Sequence, residues 1–240
     1  MASILRVALV RHGETDWNVA ARYQGHLDIP LNANGFAQAR ALARSMQSWN
    51  VSAVYSSDLS RAKATAESIA APHGLPVKLD PRLREMRFGE WEGLTVDEVA
   101  DVYGSMYAAW LDKPDAISPP GGESLRELTD RVMGALRDII EEALRTGGSS
   151  AGASYAGDGR RGVPFVIVTS HGGAIRAALW AVRGGPQREG FWGSVASPGT
   201  YAVLDVTRSD AASPVDWCVD LIRRAGTPLP VKLEEGRGIE

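Results

Sequence analysis

Two histidines of this sequence each follow an apolar run and precede a glycine. His12 lies in Val10-Arg11-His12-Gly13, after the apolar residues 5–10. His171 lies in Thr169-Ser170-His171-Gly172-Gly173, after the mostly apolar residues 163–169. Such runs are typical of buried strands, and open α/β sheets bind ligands outside the carboxyl ends of their strands. A lone histidine beside glycine is more often structural, but two at strand ends predict a shared site for nucleophilic or acid–base chemistry.

Two arginines give the same region the character of an anion site. Arg11 precedes His12, and Arg61 lies in residues 57–62 (SDLSRA), where the opening turn of a helix is predicted. An arginine side chain matches two phosphate oxygens at once, and helix N-termini favour anions through their unpaired amides. Considered alone, Arg61 is more simply a solvated helix residue. Together with the two histidines, these arginines indicate chemistry on a phosphate group.

Six sequence motifs extend this pattern over most of the chain. They are Arg11-His12-Gly13-Glu14-Thr15 with Trp17-Asn18, Tyr23-Gln24-Gly25, residues 56–65 (SSDLSRAKAT), residues 83–93 (LREMRFGEWEG), Gly121-Gly122-Glu123-Ser124 and residues 171–176 (HGGAIR). Each motif alone is modestly specific, whereas all six in this order are highly specific. By these motifs the sequence resembles the histidine phosphatase superfamily, in the phosphoglycerate-mutase-like branch that includes broad-specificity and α-ribazole-phosphatase-like phosphatases.

The resemblance implies a mechanism and a set of site residues. His12 would be the nucleophile that takes up the phosphoryl group, and Glu85 would be the proton donor. The side chains around the transferred group would be Arg11, Arg61 and His171. The residues that would bind the substrate are Arg11, Asn18, Gln24, Gly25, Arg61, Glu85, His171 and Gly172.

This mechanism has requirements that the residues themselves must meet. For attack, His12 must be neutral, so its second ring nitrogen should donate to a fixed acceptor such as a backbone carbonyl. Arg11, Arg61 and His171 would stabilise the phosphoryl charge, which makes a divalent metal unnecessary. Because no His, Cys, Asp and Glu cluster has metal-ligand spacing, we expect neither a metal nor another cofactor. For Glu85 the alternative is a salt bridge to a nearby arginine, at position 82, 84 or 87.

A phosphoglycerate mutase of the same branch is the main rival function. The mutases that this chain resembles have a tyrosine three residues after the acid, then a Gly-Leu-Asn-Lys run and a Trp-Arg-Arg cluster. Here those places hold Phe88, residues 93–96 (GLTV) and residues 110–112 (WLD). Gln24 and Gly173 also stand where the mutases have threonine and asparagine. The missing cations favour hydrolysis, because a mutase must hold a doubly charged phosphoglycerate.

Two alternatives stay open beside this preference. A cation from another position, at Arg22, Arg87 or Lys113, could replace one that the mutase pattern lacks here. The protein could also be a non-catalytic module that binds a phosphorylated ligand, although binding alone would not need both the nucleophile His12 and the acid Glu85.

Strands that alternate with helices must position these residues. Predicted strands cover residues 5–10, 53–55, 77–79, 163–169, 201–206 and 215–222, the last two as a hairpin. Predicted helices run from 32 or 34 to 47, from a cap within 56–58 to about 71, and over 95–107, 123–145 and 172–182. This order indicates an α/β fold, a three-layer α/β/α sandwich around a mainly parallel sheet with one antiparallel edge strand. We expect one domain over residues 1–240, with a flexible surface loop at 147–162.

Composition bears on the partners and the location. With 26 basic and 29 acidic residues the net charge is −3, so no global field attracts nucleic acid or an anionic membrane surface. The single cysteine cannot form an internal disulfide, and the first apolar run is too short to cross a membrane. We therefore expect a cytoplasmic protein that acts on a small phosphorylated metabolite. The sequence does not identify that metabolite, and it is compatible with a homodimer.

Overall fold

The computed structural model describes residues 3–147, 162–184, 197–207 and 216–219. The strands are β1 (Ser3–Arg11), β2 (Val51–Ser56), β3 (Val77–Leu79), β4 (Phe165–Ser170), β5 (Tyr201–Thr207) and β6 (Asp216–Val219). The α-helices in these ranges are α1 (Asp16–Val19), α2 (Ala33–Met46), α3 (Ser60–Ala70), α4 (Val96–Asp112), α5 (Leu125–Gly147) and α6 (Gly172–Val182). Each predicted strand and helix is therefore present, and α1 is an additional element.

The described strands form one sheet in the order β3-β2-β4-β1-β5-β6. The first four strands of this order are parallel, while β5 is antiparallel to β1 and β6 is antiparallel to β5. The predicted α/β fold around a mainly parallel sheet is confirmed, and so is the final antiparallel pair. The edge strand β6 pairs antiparallel with β5, and β5 is the described strand that runs opposite to the others.

Alternation along β1 divides the core into two halves. Successive side chains of a strand point to opposite faces. Leu5, Val7 and Leu9 accordingly join buried residues of α4, α5 and α6, whereas Ala8 and Val10 join buried residues of α2 and α3. Helices thus cover both faces of the sheet, which is the predicted three-layer arrangement.

Helix α3 begins one to three residues later than its predicted cap. The N-cap residue is Leu59, whose side chain accepts no hydrogen bond. The Ser60 amide donates instead to Asp28 at 2.7 Å, while Asp58 accepts from Arg84 at 2.6 Å. The first amides of a helix need acceptors, but these need not be near in sequence. The predicted cap within residues 56–58 was therefore wrong.

Two other boundaries differ from the predicted ones. Helix α4 continues to Asp112 rather than ending near residue 107, and it is kinked at Gly104, where φ is 43° and ψ is −113°. Helix α5 extends to Gly147, the first residue of the predicted loop at 147–162. Apart from its two end residues, that loop lies outside the described residues.

Two glycines bring the loop after β1 against the start of α2. A Cβ atom added to Gly13 would lie 2.4 Å from the carbonyl oxygen of Gly35, and one added to Gly35 would lie 2.1 Å from that of Glu14. Both distances are far below van der Waals contact with backbone atoms that cannot turn away. Only glycine therefore fits at these two positions while the chain after His12 follows this path.

A pair of glycine substitutions tests this close approach. We expect Gly35→Ala to lower the free energy of unfolding by roughly 1–3 kcal/mol or more, because the added methyl group meets backbone. Gly134→Ala is the matched control inside α5, where an added Cβ has nothing within 4 Å. That control should raise the free energy of unfolding by about 0.5–1 kcal/mol. Urea unfolding measures both values, and an unchanged value for Gly35→Ala would contradict the packing described.

Candidate active site

A cavity of about 210 Å³ opens where β1 and β4 end, at the place predicted from the sequence. The predicted site residues that line it are Arg11, His12, Asn18, Gln24, Arg61, Glu85 and Gly172. The other lining residues are Ala21, Arg22, Tyr23, Met86, Phe88, Val96, Trp110, Gly173 and Arg176. The remaining predicted residues, Gly25 and His171, lie behind this wall and contact residues that form it.

His12 is buried and is held as one tautomer. Its Nδ1 atom lies 2.6 Å from the carbonyl oxygen of Gly13. Because a carbonyl oxygen can only accept, Nδ1 must carry the proton, and in the neutral ring Nε2 has a free lone pair. Burial lowers the pKa of His12 well below its usual range, and the charges of Arg61 and Arg11 lower it further. The expected fixed acceptor is therefore the carbonyl of the next residue.

Thr65, on helix α3, binds the backbone that holds His12 in this tautomer. Its Oγ1 atom accepts from the Gly13 amide at 3.1 Å and donates to the Arg61 carbonyl at 2.8 Å. The hydroxyl group of Thr65 thus links Gly13, whose carbonyl orients His12, to Arg61, which carries the buried guanidinium.

His171 is fully buried next to His12, with 5.1 Å between the two ring centroids. It is the N-cap residue of α6, and its Nε2 atom lies 2.9 Å from Oγ of Ser57. Burial lowers the pKa of His171 well below its usual range, followed by the charge of Arg61. Its Nδ1 atom is buried and has no hydrogen-bond partner among the residues that the structure describes.

Arg61 is fully buried, which rules out the alternative of a solvated helix residue. Its Nη1 atom donates to the carbonyl of Leu27 at 2.8 Å, and its Nη2 atom donates to that of Gly25 at 2.9 Å. Burial lowers the pKa of Arg61 to about 10, which still leaves the guanidinium charged at neutral pH. Gly25, which adopts a positive φ of 50°, contributes this carbonyl to the site.

Arg11 provides a second cation, which is half-buried. Burial lowers the pKa of Arg11 to about 10, and the carboxylate of Glu85 opposes that shift. A Cβ atom added to Gly172 would lie 3.2 Å from the Arg11 guanidinium carbon. The glycine at the start of α6 therefore leaves room for the Arg11 guanidinium beside the helix N-terminus, where an anion is also favoured.

Glu85 places its carboxylate on the N-terminus of α6. It accepts from the amides of Met86 at 2.8 Å, Gly173 at 3.2 Å and Ala174 at 3.3 Å. A Cβ atom added to Gly173 would come within 2.4 Å of a Glu85 oxygen, so the approach requires glycine.

Two of the three arginines weighed as salt-bridge partners of Glu85 bind other acids. Arg82 pairs with Asp80 and Asp138, at 2.8 and 2.7 Å. Arg84 pairs with Asp58 at 2.6 Å. The Glu85 carboxylate instead lines the cavity.

Comparison with known proteins agrees with this geometry. The sequence profile described as "Histidine phosphatase superfamily (branch 1)" matches residues 7–213. The chain belongs to this superfamily. Phosphoserine phosphatase 1 of Hydrogenobacter thermophilus is 31% identical over 201 residues, which cover 84% of this chain and 86% of that protein. Phosphoglycerate mutase-like protein 4 of Arabidopsis thaliana is 41% identical over 174 residues, 71% of this chain and 68% of that protein.

Solved structures of the histidine phosphatase superfamily share the fold. A mycobacterial glucosyl-3-phosphoglycerate phosphatase superposes with a TM-score of 0.76 at 31% identity, and the match covers 94% of this chain and 100% of that chain. The resemblance inferred from the six motifs is therefore confirmed, and the similar proteins of the superfamily include both phosphatases and mutase-like proteins.

Asn18 and Gln24, implied by the superfamily motifs, both line the cavity. The Oδ1 atom of Asn18 accepts from the amide and hydroxyl of Thr15, at 3.0 and 3.1 Å, within the capping box of α1. That arrangement leaves the side-chain nitrogen of Asn18 as the donor. Gln24 is 7% exposed, and its Oε1 atom has no partner in the described part of the chain.

Three residues of the site were missed. Ser57 and Thr65 lie in the motif at 56–65, but nothing local showed that Ser57 binds His171 or that Thr65 binds the Gly13 amide next to His12. Arg176 lines the cavity. Its spacing could have revealed it, because Arg176 follows Gly172 by four residues on α6 and so shares its helix face.

The described residues contain neither a candidate metal site nor a membrane-spanning helix. Within them, no three side chains of His, Cys, Asp or Glu are grouped so that they could hold a metal ion. No helix in the same ranges is both long and apolar enough to cross a membrane.

The lowered histidine pKa values predict a pH dependence of stability. An unfolded histidine takes up a proton near pH 6.5, whereas folded His12 and His171 resist it until well below that pH. Above about pH 6.5 these histidines therefore leave the free energy of unfolding independent of pH. Below that pH the free energy of unfolding falls, by up to about 1.4 kcal/mol per pH unit for each histidine. Urea unfolding between about pH 7 and 5.5 should show this slope. His12→Asn and His171→Asn should each reduce the slope, and slopes equal to that of the wild type would contradict the assignment.

Proposed function

We propose that this protein is a metal-independent phosphatase that hydrolyses small phosphate monoesters through a phosphohistidine on His12. The observation that carries the proposal is the 2.6 Å hydrogen bond from His12 Nδ1 to the Gly13 carbonyl, in a cavity that also contains Arg11 and Arg61. It leaves Nε2 unprotonated next to charges that attract a phosphoryl group. Histidine is an established covalent nucleophile when so activated.

The proposed reaction has two steps. Nε2 of His12 attacks phosphorus, the bond from phosphorus to the leaving oxygen breaks, and protonated Glu85 gives its proton to that oxygen. A water molecule then attacks the phosphohistidine, Glu85 takes its proton, and the bond from nitrogen to phosphorus breaks. Inorganic phosphate and neutral His12 result, and Glu85 is protonated again, so the cycle balances.

The charge that develops during transfer would be stabilised by protein groups alone. Arg11, Arg61 and the N-terminus of α6 surround the cavity. In a buried site such preorganised charges are usually the largest contribution to phosphoryl transfer. The proposal therefore includes neither a metal nor a cofactor.

The proposed substrate is a small phosphorylated metabolite of the cytoplasm rather than a nucleic acid or a membrane lipid. The cavity volume of about 210 Å³ suits a small ligand. Similar proteins are named for the hydrolysis of phosphoserine and of glucosyl-3-phosphoglycerate, both small phosphate monoesters.

Hydrolysis is preferred over a mutase reaction because the cations of the mutase pattern are missing at residues 93–96 and 110–112, and three cavity positions also differ from that pattern. Phe88, Gln24 and Gly173 line the cavity where the mutases have tyrosine, threonine and asparagine. Of the cations that could compensate, Arg22 lines the cavity, but its guanidinium also binds Glu98 at 3.2 Å. A binding module remains the third candidate, and the combination of His12 with Glu85 argues against it.

Trapping the intermediate tests the nucleophile. Substrate labelled in its phosphoryl group should transfer that label to His12 of the wild type, as detected by mass spectrometry after an alkaline quench. His12→Asn should lose turnover by at least roughly 10³-fold, because the covalent route is gone. The mechanism is wrong if no histidine carries the label, or if the variant keeps more than about a tenth of the rate.

Product analysis tests hydrolysis against isomerisation. The enzyme receives 3-phosphoglycerate in EDTA, with and without 2,3-bisphosphoglycerate, and parallel samples receive phosphoserine or p-nitrophenyl phosphate. We expect free phosphate to form faster than 2-phosphoglycerate, with a rate that the chelator does not reduce. Faster isomerisation that depends on bisphosphoglycerate would make the protein a mutase. Activity that EDTA removes and magnesium, manganese or zinc restores would contradict metal independence, and no turnover of any substrate would support a binding module.

A further inference from the structure

The Gly121-Gly122-Glu123-Ser124 motif has no part in the mechanism above, yet its glutamate is buried. Glu123 is 6% exposed and lies just before α5. Its carboxylate accepts from Arg131 Nε at 2.9 Å and Nη2 at 2.5 Å, and from the Arg87 amide at 2.7 Å. The Glu123 amide also donates to the Arg87 carbonyl at 2.9 Å. Glu123 is thus bound, through both side chain and backbone, to the residue two positions after Glu85.

Arg131 reaches the same segment with its remaining donors. Nη1 donates to the carbonyls of Arg82 and Arg84, both at 2.8 Å, and Nη2 donates to that of Glu85 at 2.7 Å. With the two bonds to Glu123, these contacts use all five N–H groups of a guanidinium. Lysine, with three donors on one nitrogen, could not make this set.

The segment that receives these bonds has little secondary structure of its own. Residues 84–88 connect two short 3₁₀ turns, Pro81–Leu83 and Gly89–Trp91. Buried carbonyls require partners, and here side chains supply them. Besides Arg131, Ser170 donates to Leu83 at 2.7 Å, and His26 Nε2 lies 2.9 Å from the Glu85 carbonyl. Side chains from α5, β4 and a loop therefore set the position of the Glu85 backbone.

We propose that Glu123 and Arg131 are positioning residues for Glu85, which hold its main chain so that its carboxyl group meets the leaving oxygen. The inference rests on the proposed function, in which Glu85 is the proton donor. A proton donor must lie within hydrogen-bond distance of its target, and a displacement of about 1 Å can lower a rate by roughly 10²-fold. Loss of the pair should therefore affect reactions in proportion to their need for the acid.

The experiment compares two leaving groups. Arg131→Ala should lower kcat/KM for an alkyl phosphate, such as phosphoserine, by roughly 10–10²-fold, because the alkoxide needs the proton. The loss for p-nitrophenyl phosphate should stay below about threefold, since its leaving group is stable as an anion. Guanidinium ion added to Arg131→Ala should restore part of the alkyl phosphatase activity. Equal losses on both substrates, or no loss, would overturn the inference.

A matched control lies on the same helix. Arg126 pairs with Asp130 at 3.8 Å, and its side chain is 89% exposed. Arg126→Ala removes an arginine and an ion pair from α5 without touching the Glu85 segment, and it should leave kcat/KM for both substrates unchanged. A loss in this control that matched that of Arg131→Ala would assign the effect to α5 as a whole and overturn the inference.

Glu85→Gln separates this inference from the proposed function. Equal losses on the two substrates in Glu85→Gln would remove the acid role itself. A loss confined to the alkyl phosphate in Glu85→Gln, with equal losses in Arg131→Ala, would overturn only the positioning role. If Arg131 acts through Glu85, its removal from the Glu85→Gln variant should change kcat/KM by less than about threefold. A full additional loss there would contradict the inference.

A milder variant controls for the possibility that Arg131→Ala fails to fold. Arg131→Ala leaves the Glu123 carboxylate buried without its cation, which can destabilise the protein. Glu123→Gln keeps an oxygen for the Arg87 amide and removes only the charge. It should lower kcat/KM for the alkyl phosphate by a smaller factor than Arg131→Ala and leave p-nitrophenyl phosphate within about twofold of wild type. Both variants are assayed well below their measured unfolding temperatures, and equal losses on both substrates in Glu123→Gln would overturn the inference.

Discussion

The removal of four ionisable side chains from water around one small space, almost complete for His12, His171 and Arg61 and partial for Arg11, is the constraint on which the rest of this site depends. Removal from water favours the neutral form of every such group. His12 and His171 accordingly have lowered pKa values, whereas Arg11 and Arg61 stay charged because their pKa values fall only to about 10. The same physical effect therefore leaves two neutral imidazoles among permanent cations.

The scaffold satisfies these buried groups mostly with backbone atoms. Carbonyls of Gly13, Gly25 and Leu27 accept from His12 and Arg61, and amides at the start of α6 donate to Glu85. Backbone partners are rigid and cannot titrate, so each side chain has one orientation over a wide pH range. The parallel part of the sheet carries this arrangement, because no residue of the antiparallel strand β5 lines the cavity.

The sequence could predict what depends on local pattern. Apolar runs placed β1 and β4, and the histidines at their ends proved to be neighbours, 5.1 Å apart between ring centroids. It could not predict contacts between residues remote in the chain. The Ser57–His171 hydrogen bond joins residues 114 positions apart, and Asp28 caps a helix that begins 32 positions later. Local propensity contains no information about such partners, so Arg61 could be assigned to the site only from the combined motifs, and the cap of α3 was misplaced.

The close contact between Gly173 and the Glu85 carboxylate has a consequence for how this fold diversifies. A side chain at position 173 and the carboxylate in its present place would occupy the same volume, because an added Cβ would lie 2.4 Å from a Glu85 oxygen. A side chain at position 173 would therefore displace the flexible end of Glu85. Relatives that carry a side chain there should hold this carboxylate differently, so these two positions should covary through evolution.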